Sequence, residues 1–277
     1  MDIDLLIRNA SELLPMDSHG NPLRGKYLTG LNIIEDGAMA IKDSKIVGIG
    51  KTDKILKDFT VTKNTIVINA NDKTVIPGFV DCHTHLVFAG TREHEFVQKI
   101  EKLRHTKNVM MGGGIQYTVA HTRKATKDEL TKLAKKRLKR MLINGITTIE
   151  AKSGYGLNLE NELKILEVNN ELNNLQEVEI ESTFLGAHSI PSGFNSREYT
   201  EIVINEMIPE ISKTGLARFC DVFCEEGLFS VEQSERILKK AKEAGMQIKI
   251  HADQLTNTYG ASLAAKLEVV SADHLDY

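Results

Sequence analysis

The chain has 277 residues, 41% of them hydrophobic and 26% charged, with a formal net charge of −3. This composition is ordinary for a globular protein and gives no basic field for nucleic acid, and no apolar run approaches the roughly 20 residues that span a bilayer. The acidic start, Met1-Asp-Ile-Asp, lacks the basic region of a signal peptide, and three cysteines (Cys82, Cys220 and Cys224) are too few for a disulfide framework, so a reducing, cytoplasmic setting is expected.

The first elements read as β structure. Asp4–Ala10 is a short apolar run, Gly37–Gly50 has the pattern of a hairpin turning at Asp43-Ser44, and Thr65–Ala70 is a further strand. Pieces this short form only part of a small β domain, expected over 1–74, with a second domain over 75–277.

The second domain opens on Val75-Ile-Pro-Gly-Phe-Val-Asp-Cys-His-Thr-His, an apolar run that delivers Asp81, His83 and His85. On a strand, His83 and His85 share one face about 7 Å apart and can hold one metal ion from one side. A polar, glycine-bearing stretch with Arg92, His94 and Gly112-Gly113-Gly114 follows, with the length of a functional loop. Thr126 and Glu129 then fit a capping box, and Asn144-Gly145 ends that helix. The basic residues at 135–140 are its solvated face.

From there strands and helices alternate. Strands end near Ala151, His188, Glu225, His251 and His274. Helices are expected over 159–172 and 197–213, after a Ser230/Gln233 cap, and over 256–267 despite Gly260. Such alternation indicates βα units on a parallel sheet. No Gly-x-Gly-x-x-Gly follows the first strand, so a dinucleotide fold is disfavoured. In a (β/α)8 barrel the site lies at the C-terminal strand ends, and here those ends collect His83, His85, Tyr155, His188, Glu225, Glu226, His251 and His274.

Converging imidazoles suit zinc or iron, with His251 as a third ligand and His274 placed to move protons. Arg92 can fork onto a carboxylate. Tyr155, between two glycines, reads as exposed on a tight loop, and Gln254 can hydrogen-bond a ring nitrogen or carbonyl. His19, His105 and His121 read as solvated or loop histidines. Cys220 and Cys224, inside an apolar run, read as buried thiols.

The strings Asp81-Cys-His-Thr-His-Leu-Val-Phe-Ala-Gly, Lys152-Ser-Gly-Tyr-Gly-Leu, Phe184-Leu-Gly-Ala-His, Val222-Phe-Cys-Glu-Glu-Gly, His251-Ala-Asp-Gln-Leu and Ser271-Ala-Asp-His-Leu resemble the imidazolonepropionase family of the amidohydrolase superfamily. The resemblance implies hydrolysis of the cyclic amide of 4-imidazolone-5-propanoate to N-formimidoyl-L-glutamate, the third step of L-histidine degradation. It implies one Zn2+ or Fe3+ per chain on His83, His85 and His251, with Arg92, Tyr155 and His188 around the substrate. His274 matches the histidine that orients water. Gln254 stands where some members carry Glu, so it is expected on the substrate and, if it shuttles protons, in catalysis. A homodimer is implied too. The family's barrel has two further strands, the eighth bearing an Asp ligand, and this sequence carries neither. The expected fold is therefore an α/β, (β/α)8 TIM-like barrel with strands one to six present, beside a partial β-sandwich-type domain. The alternatives are another amidohydrolase, such as a cyclic amide hydrolase or a deaminase, or an inactive truncated fragment.

Overall fold

Asp43 and Ser44 both adopt positive φ, 48° and 60°, as a two-residue hairpin turn requires. They join strand β2 (Ile34–Lys42) to strand β3 (Lys45–Lys51), the hairpin expected from the sequence. The computed structural model describes residues 1–16, 20, 28, 30–93, 95 and 114–277. His19, His94, His105 and Gly112-Gly113 lie outside the described residues. The chain divides into two compact units, Met1–Gly78 and Phe79–Tyr277.

The first unit is a five-stranded sheet ordered β3-β2-β1-β4, with β5 also against β1. Strand β1 (Leu5–Leu13) runs antiparallel to β2 and parallel to β4 (Ile66–Asn69) and β5 (Thr74–Val75). A short helix, Thr52–Asp58, buries Ile55 against Ile3, Leu6, Ala38 and Ala40. The sequence reading missed this helix: it is seven residues long and has no side-chain cap to mark its start.

The second unit is built on six parallel strands in the order β11-β10-β9-β8-β7-β6. They are β6 (Phe79–Thr84), β7 (Ile146–Lys152), β8 (Glu179–Ala187), β9 (Phe219–Cys224), β10 (Gln247–Ala252) and β11 (Ser271–His274). All six residues of β9 are buried, as in a strand covered on both faces, and Cys220 and Cys224 are buried within it. The sheet curls into a nearly closed barrel, so this is the six-stranded part of the expected TIM-like architecture, with helices between successive strands.

Local sequence explains the helices. Thr126/Glu129, Asn195/Glu198 and Ser230/Gln233 form reciprocal capping boxes at the starts of helices Lys127–Ile143, Ser196–Ile202 and Val231–Glu243. Each cap is worth on the order of 1 kcal/mol. The segment expected as one helix over 197–213 contains a wide π turn, Val203–Met207, before Ile208–Thr214. The last helix, expected over 256–267 despite Gly260, is shorter and begins at that glycine. In this helix, Gly260–Leu267, a Cβ on Gly260 would lie 2.7 Å from the Cβ of Ala252. The carboxylate of Asp253 accepts hydrogen bonds from the Thr258, Gly260 and Ala261 amides and so fixes that start.

Candidate active site

The chain leaving β6 is held by two polar contacts. The Thr84 hydroxyl donates to the Glu150 carbonyl at 2.6 Å. Arg137 donates to the Leu86 and Phe88 carbonyls at 2.7 and 3.0 Å, with its guanidinium 3.7 Å from the centroid of the Phe88 ring. Arg137 is thus the exception on the basic helix face, where Lys135, Lys136, Lys139 and Arg140 are exposed. These contacts set the exit on which His83 and His85 are carried.

Three imidazoles meet at the C-terminal strand ends. The His83 ring lies 4.7 Å from His251 and 5.1 Å from His274, and His251 lies 5.1 Å from His274. Their candidate ligand atoms fall within 4.8 Å of one another. His85 occupies a different position: its ring stacks on His188 at 4.7 Å and 18°, and lies 4.7 Å from Tyr155. Tyr155, read from the sequence as exposed, is 9% exposed. Its loop turns inward, and the ring packs against His85, Phe88 and His188.

Below the imidazoles is a buried charge network. The Lys152 ammonium lies 2.8 Å from Glu150, 2.8 Å from Asp221 and 2.9 Å from Asp273, and Lys249 pairs with the other oxygen of Glu150. Asp221 Oδ2 is 3.0 Å from His251 Nδ1, and Asp273 Oδ2 is 3.0 Å from His83 Nδ1. Three carboxylates (Glu150, Asp221 and Asp273) face two ammonium groups (Lys152 and Lys249), leaving one formal negative charge beside the histidines.

Electrostatics divides these groups by charge state. Burial alone would raise the Asp273 carboxyl, but His83 and Lys152 outweigh it and hold it at about 2. Asp221 is held far below the usual carboxylate range by His251 and Lys152 against the same burial. Burial opposes the Lys152 charge, yet Asp221, Glu150 and Asp273 keep it above its ordinary value. His85 is pushed well down by burial and then by His188, His251 and His83, and His188 is pushed to about 4 by burial and His251. His274 is lowered by burial, His251 and His83.

These residues fit a cation with nitrogen donors. His85 Nδ1 is shielded from solvent and has no hydrogen-bond partner among the described residues. The lowered imidazoles keep lone pairs at neutral pH, and the network beneath carries an excess negative charge.

The remaining expected residues lie around this centre. His188, just past β8, is buried and its Nδ1 lies 3.0 Å from the Gly154 carbonyl. Arg92 is half-buried, with Nη1 3.9 Å from Glu95 Oε2, and its charge partly offsets the rise that burial imposes on the Tyr155 phenol. Gln254 follows the buried Asp253 and is half-buried. Glu225 ties down a loop, accepting from the Leu255 amide and the Thr256 hydroxyl. His121 is exposed on helix Ile115–Lys124.

Sequence reasoning missed Glu150, Lys152, Asp221 and Asp273 as a connected network. The available signal was charge inside buried strands: Glu150 and Lys152 alternate on one face of β7, where an unpaired charge is too costly to keep.

Comparison with known proteins agrees with this architecture. The sequence profile of the Amidohydrolase family matches residues 74–277. The imidazolonepropionase of Alkaliphilus oremlandii is 47% identical over 277 residues, 99% of this chain and 65% of that protein. The imidazolonepropionase of Thermoanaerobacter pseudethanolicus is 46% identical over 280 residues, 100% of this chain and 65% of that protein. The chain therefore spans about two thirds of the length of the curated relatives it matches. Among solved structures, 5-methylcytosine deaminase from Klebsiella pneumoniae, liganded with 5-fluorocytosine, aligns with a TM-score of 0.62 at 13% identity, over 95% of this chain and 55% of that one. An adenosine deaminase from Xanthomonas campestris with bound zinc aligns with a TM-score of 0.55 at 16% identity, over 99% of this chain and 58% of that one. At these identities the two structures speak for the fold alone.

Proposed function

The chain belongs to the amidohydrolase family, and from that premise we propose that it carries the catalytic barrel of an enzyme that hydrolyses 4-imidazolone-5-propanoate to N-formimidoyl-L-glutamate, in the third step of L-histidine degradation. The observation that carries this reading is the gathering of an imidazole cluster and a Tyr155/His188 wall at one end of the barrel. The identity to imidazolonepropionases across nearly the whole chain supports it.

The family's chemistry is metal-dependent. Here the ion, Zn2+ or Fe3+, would be held by His83, His85 and His251. When bound, it supplies Lewis acidity and lowers the pKa of water toward about 7.

The chain's own residues take the other parts. Arg92 anchors the propionate carboxylate. Tyr155 and His188 border the ring, and the Gln254 amide hydrogen-bonds a ring nitrogen or carbonyl. His274, kept unprotonated at neutral pH by burial and its imidazole neighbours, accepts a proton from water at its free ring nitrogen. The oxygen of that water bonds to the ring carbonyl carbon, and the ring C–N bond then breaks as its nitrogen takes up the proton. The three unpaired cysteines support action in the cytoplasm, and a homodimer is the expected assembly.

Hydrolysis of imidazolonepropionate, hydantoin and cytosine by the metal-loaded protein tests this. Ring opening of the first alone is expected. Turnover of cytosine or hydantoin with none of the imidazolone would replace the reading with another amidohydrolase activity.

A further inference from the structure

The loop Ser153–Leu157, which carries Tyr155, is gripped through its backbone from two sides. On one side is Glu162, 0% exposed in helix Leu159–Asn173. Its Oε2 accepts from the Gly154 amide at 2.9 Å, and its Oε1 accepts from the Gly156 and Leu157 amides at 2.7 and 2.8 Å. On the other side is Arg123 of helix Ile115–Lys124, which donates to the Gly156 carbonyl at 2.6 Å and the Leu157 carbonyl at 3.0 Å. Three amides of the loop thus converge on one carboxylate and two of its carbonyls on one guanidinium.

The loop is held in a shape it would not keep alone. Leu157 has φ 49°, a left-handed conformation that costs a non-glycine residue on the order of 1 kcal/mol. At Gly154, with φ 99°, a Cβ would strike the His188 side chain at 2.8 Å, and at Gly156 a Cβ would strike the Glu162 backbone at 2.5 Å. Desolvating a carboxylate is expensive unless its lone pairs are filled, and here backbone amides fill them. An ordinary turn needs no such group.

The loop passes this order on. Its Gly154 carbonyl, which can only accept, faces His188 Nδ1 at 3.0 Å. A neutral His188 therefore carries its hydrogen on Nδ1 and offers Nε2 as an acceptor.

We propose that Glu162 and Arg123 are positioning residues that, through the Ser153–Leu157 backbone, fix Tyr155 in the site wall and lock His188 as a hydrogen-bond acceptor, selecting ligands that present an N–H or O–H donor there. The proposal rests on the functional reading above, and a 4-imidazolone ring N–H meets its requirement. Glu162→Gln is the discriminating change. Its amide oxygen can keep the Gly156 and Leu157 bonds, while its NH2 faces the Gly154 N–H and displaces that peptide.

The first test needs no turnover. Ring 15N shifts of His188 in the protein are expected to report the Nδ1-protonated form, and a tautomer mixture in Glu162→Gln. The same tautomer in both proteins would overturn the proposal. The second test is steady-state kinetics on imidazolonepropionate. Glu162→Gln and Arg123→Lys are expected to raise KM about tenfold, with kcat and metal content changed less than about threefold. Glu162→Gln combined with Tyr155→Phe should be no worse than the stronger single change, because both act at one place. Multiplying effects would overturn the proposal. If Tyr155→Phe and His188→Gln leave KM unchanged while the tautomer still shifts, the grip stands and the substrate assignment of the wall falls. Should Glu162→Gln fail to fold, Arg123→Lys carries both measurements.

Discussion

His85 and His188 lie ring on ring, their centroids 4.7 Å apart and their planes inclined by 18°. Stacked imidazoles cannot both be charged at low cost. Burial, acting first, and the neighbouring histidines keep both below their ordinary values.

That pair sets a pH dependence for the metal-free protein. With His188 at about 4 in the fold and its ordinary value of 6.5 in the unfolded chain, the unfolded state binds the proton first as pH falls. The contribution is fully present above about pH 6.5, declines between 6.5 and 4, and is lost below 4. Its size is on the order of 3 kcal/mol. Denaturant unfolding should show the wild type losing more stability across that window than His188→Gln. Parallel curves would contradict the assignment.

Lys152 is the cation on which Glu150, Asp221 and Asp273 converge. Lys152→Met leaves the buried Asp221 and the half-buried Asp273 with oxygens within 4.8 Å of each other and no cation between them. The expected loss is about 3–5 kcal/mol in chemical denaturation. A loss below about 1 kcal/mol would mean that the network tolerates its own excess charge.

Arg92 is proposed to hold the propionate. Arg92→Ala should raise KM by about tenfold or more and lower kcat far less, as removal of uniform binding does. A fall in kcat at constant KM would place Arg92 at the reacting atoms.

The geometry gathers His83, His251 and His274, whereas the proposed ligands are His83, His85 and His251. Metal content after dialysis separates these sets. Alanine at His83, His85 or His251 should deplete bound metal, while His274→Ala should retain it and lose turnover. Retention in His85→Ala with depletion in His274→Ala would exchange the two roles.

Chelation should lower the melting temperature of the loaded protein, because the ion binds only the folded chain. An unchanged melt would separate metal binding from stability.

Much of the barrel could be read from the sequence because its signals are local. Thr126 with Glu129 and Ser230 with Gln233 mark helix starts through contacts three residues apart. Asp43-Ser44 marks the hairpin, and the histidines stand at strand ends. The charge network was not legible in the same way. Its members come from β7, β9, β10 and β11, and their pairing exists only once those strands lie side by side. Tyr155 was misjudged for a related reason. Two flanking glycines suggest an exposed tip, but the direction of the loop is decided by Glu162 and Arg123 on separate helices.

The order of the barrel strands follows their order along the chain without exception. Each strand from β7 onward therefore pairs with one synthesised before it. A nascent chain can extend its sheet one hairpin-free step at a time, always onto an existing template, and loop closure is confined to the crossovers between neighbouring strands. The histidines arrive in the same succession. His83 and His85 emerge first and His274 last, so the imidazole cluster is completed only as the sixth strand docks.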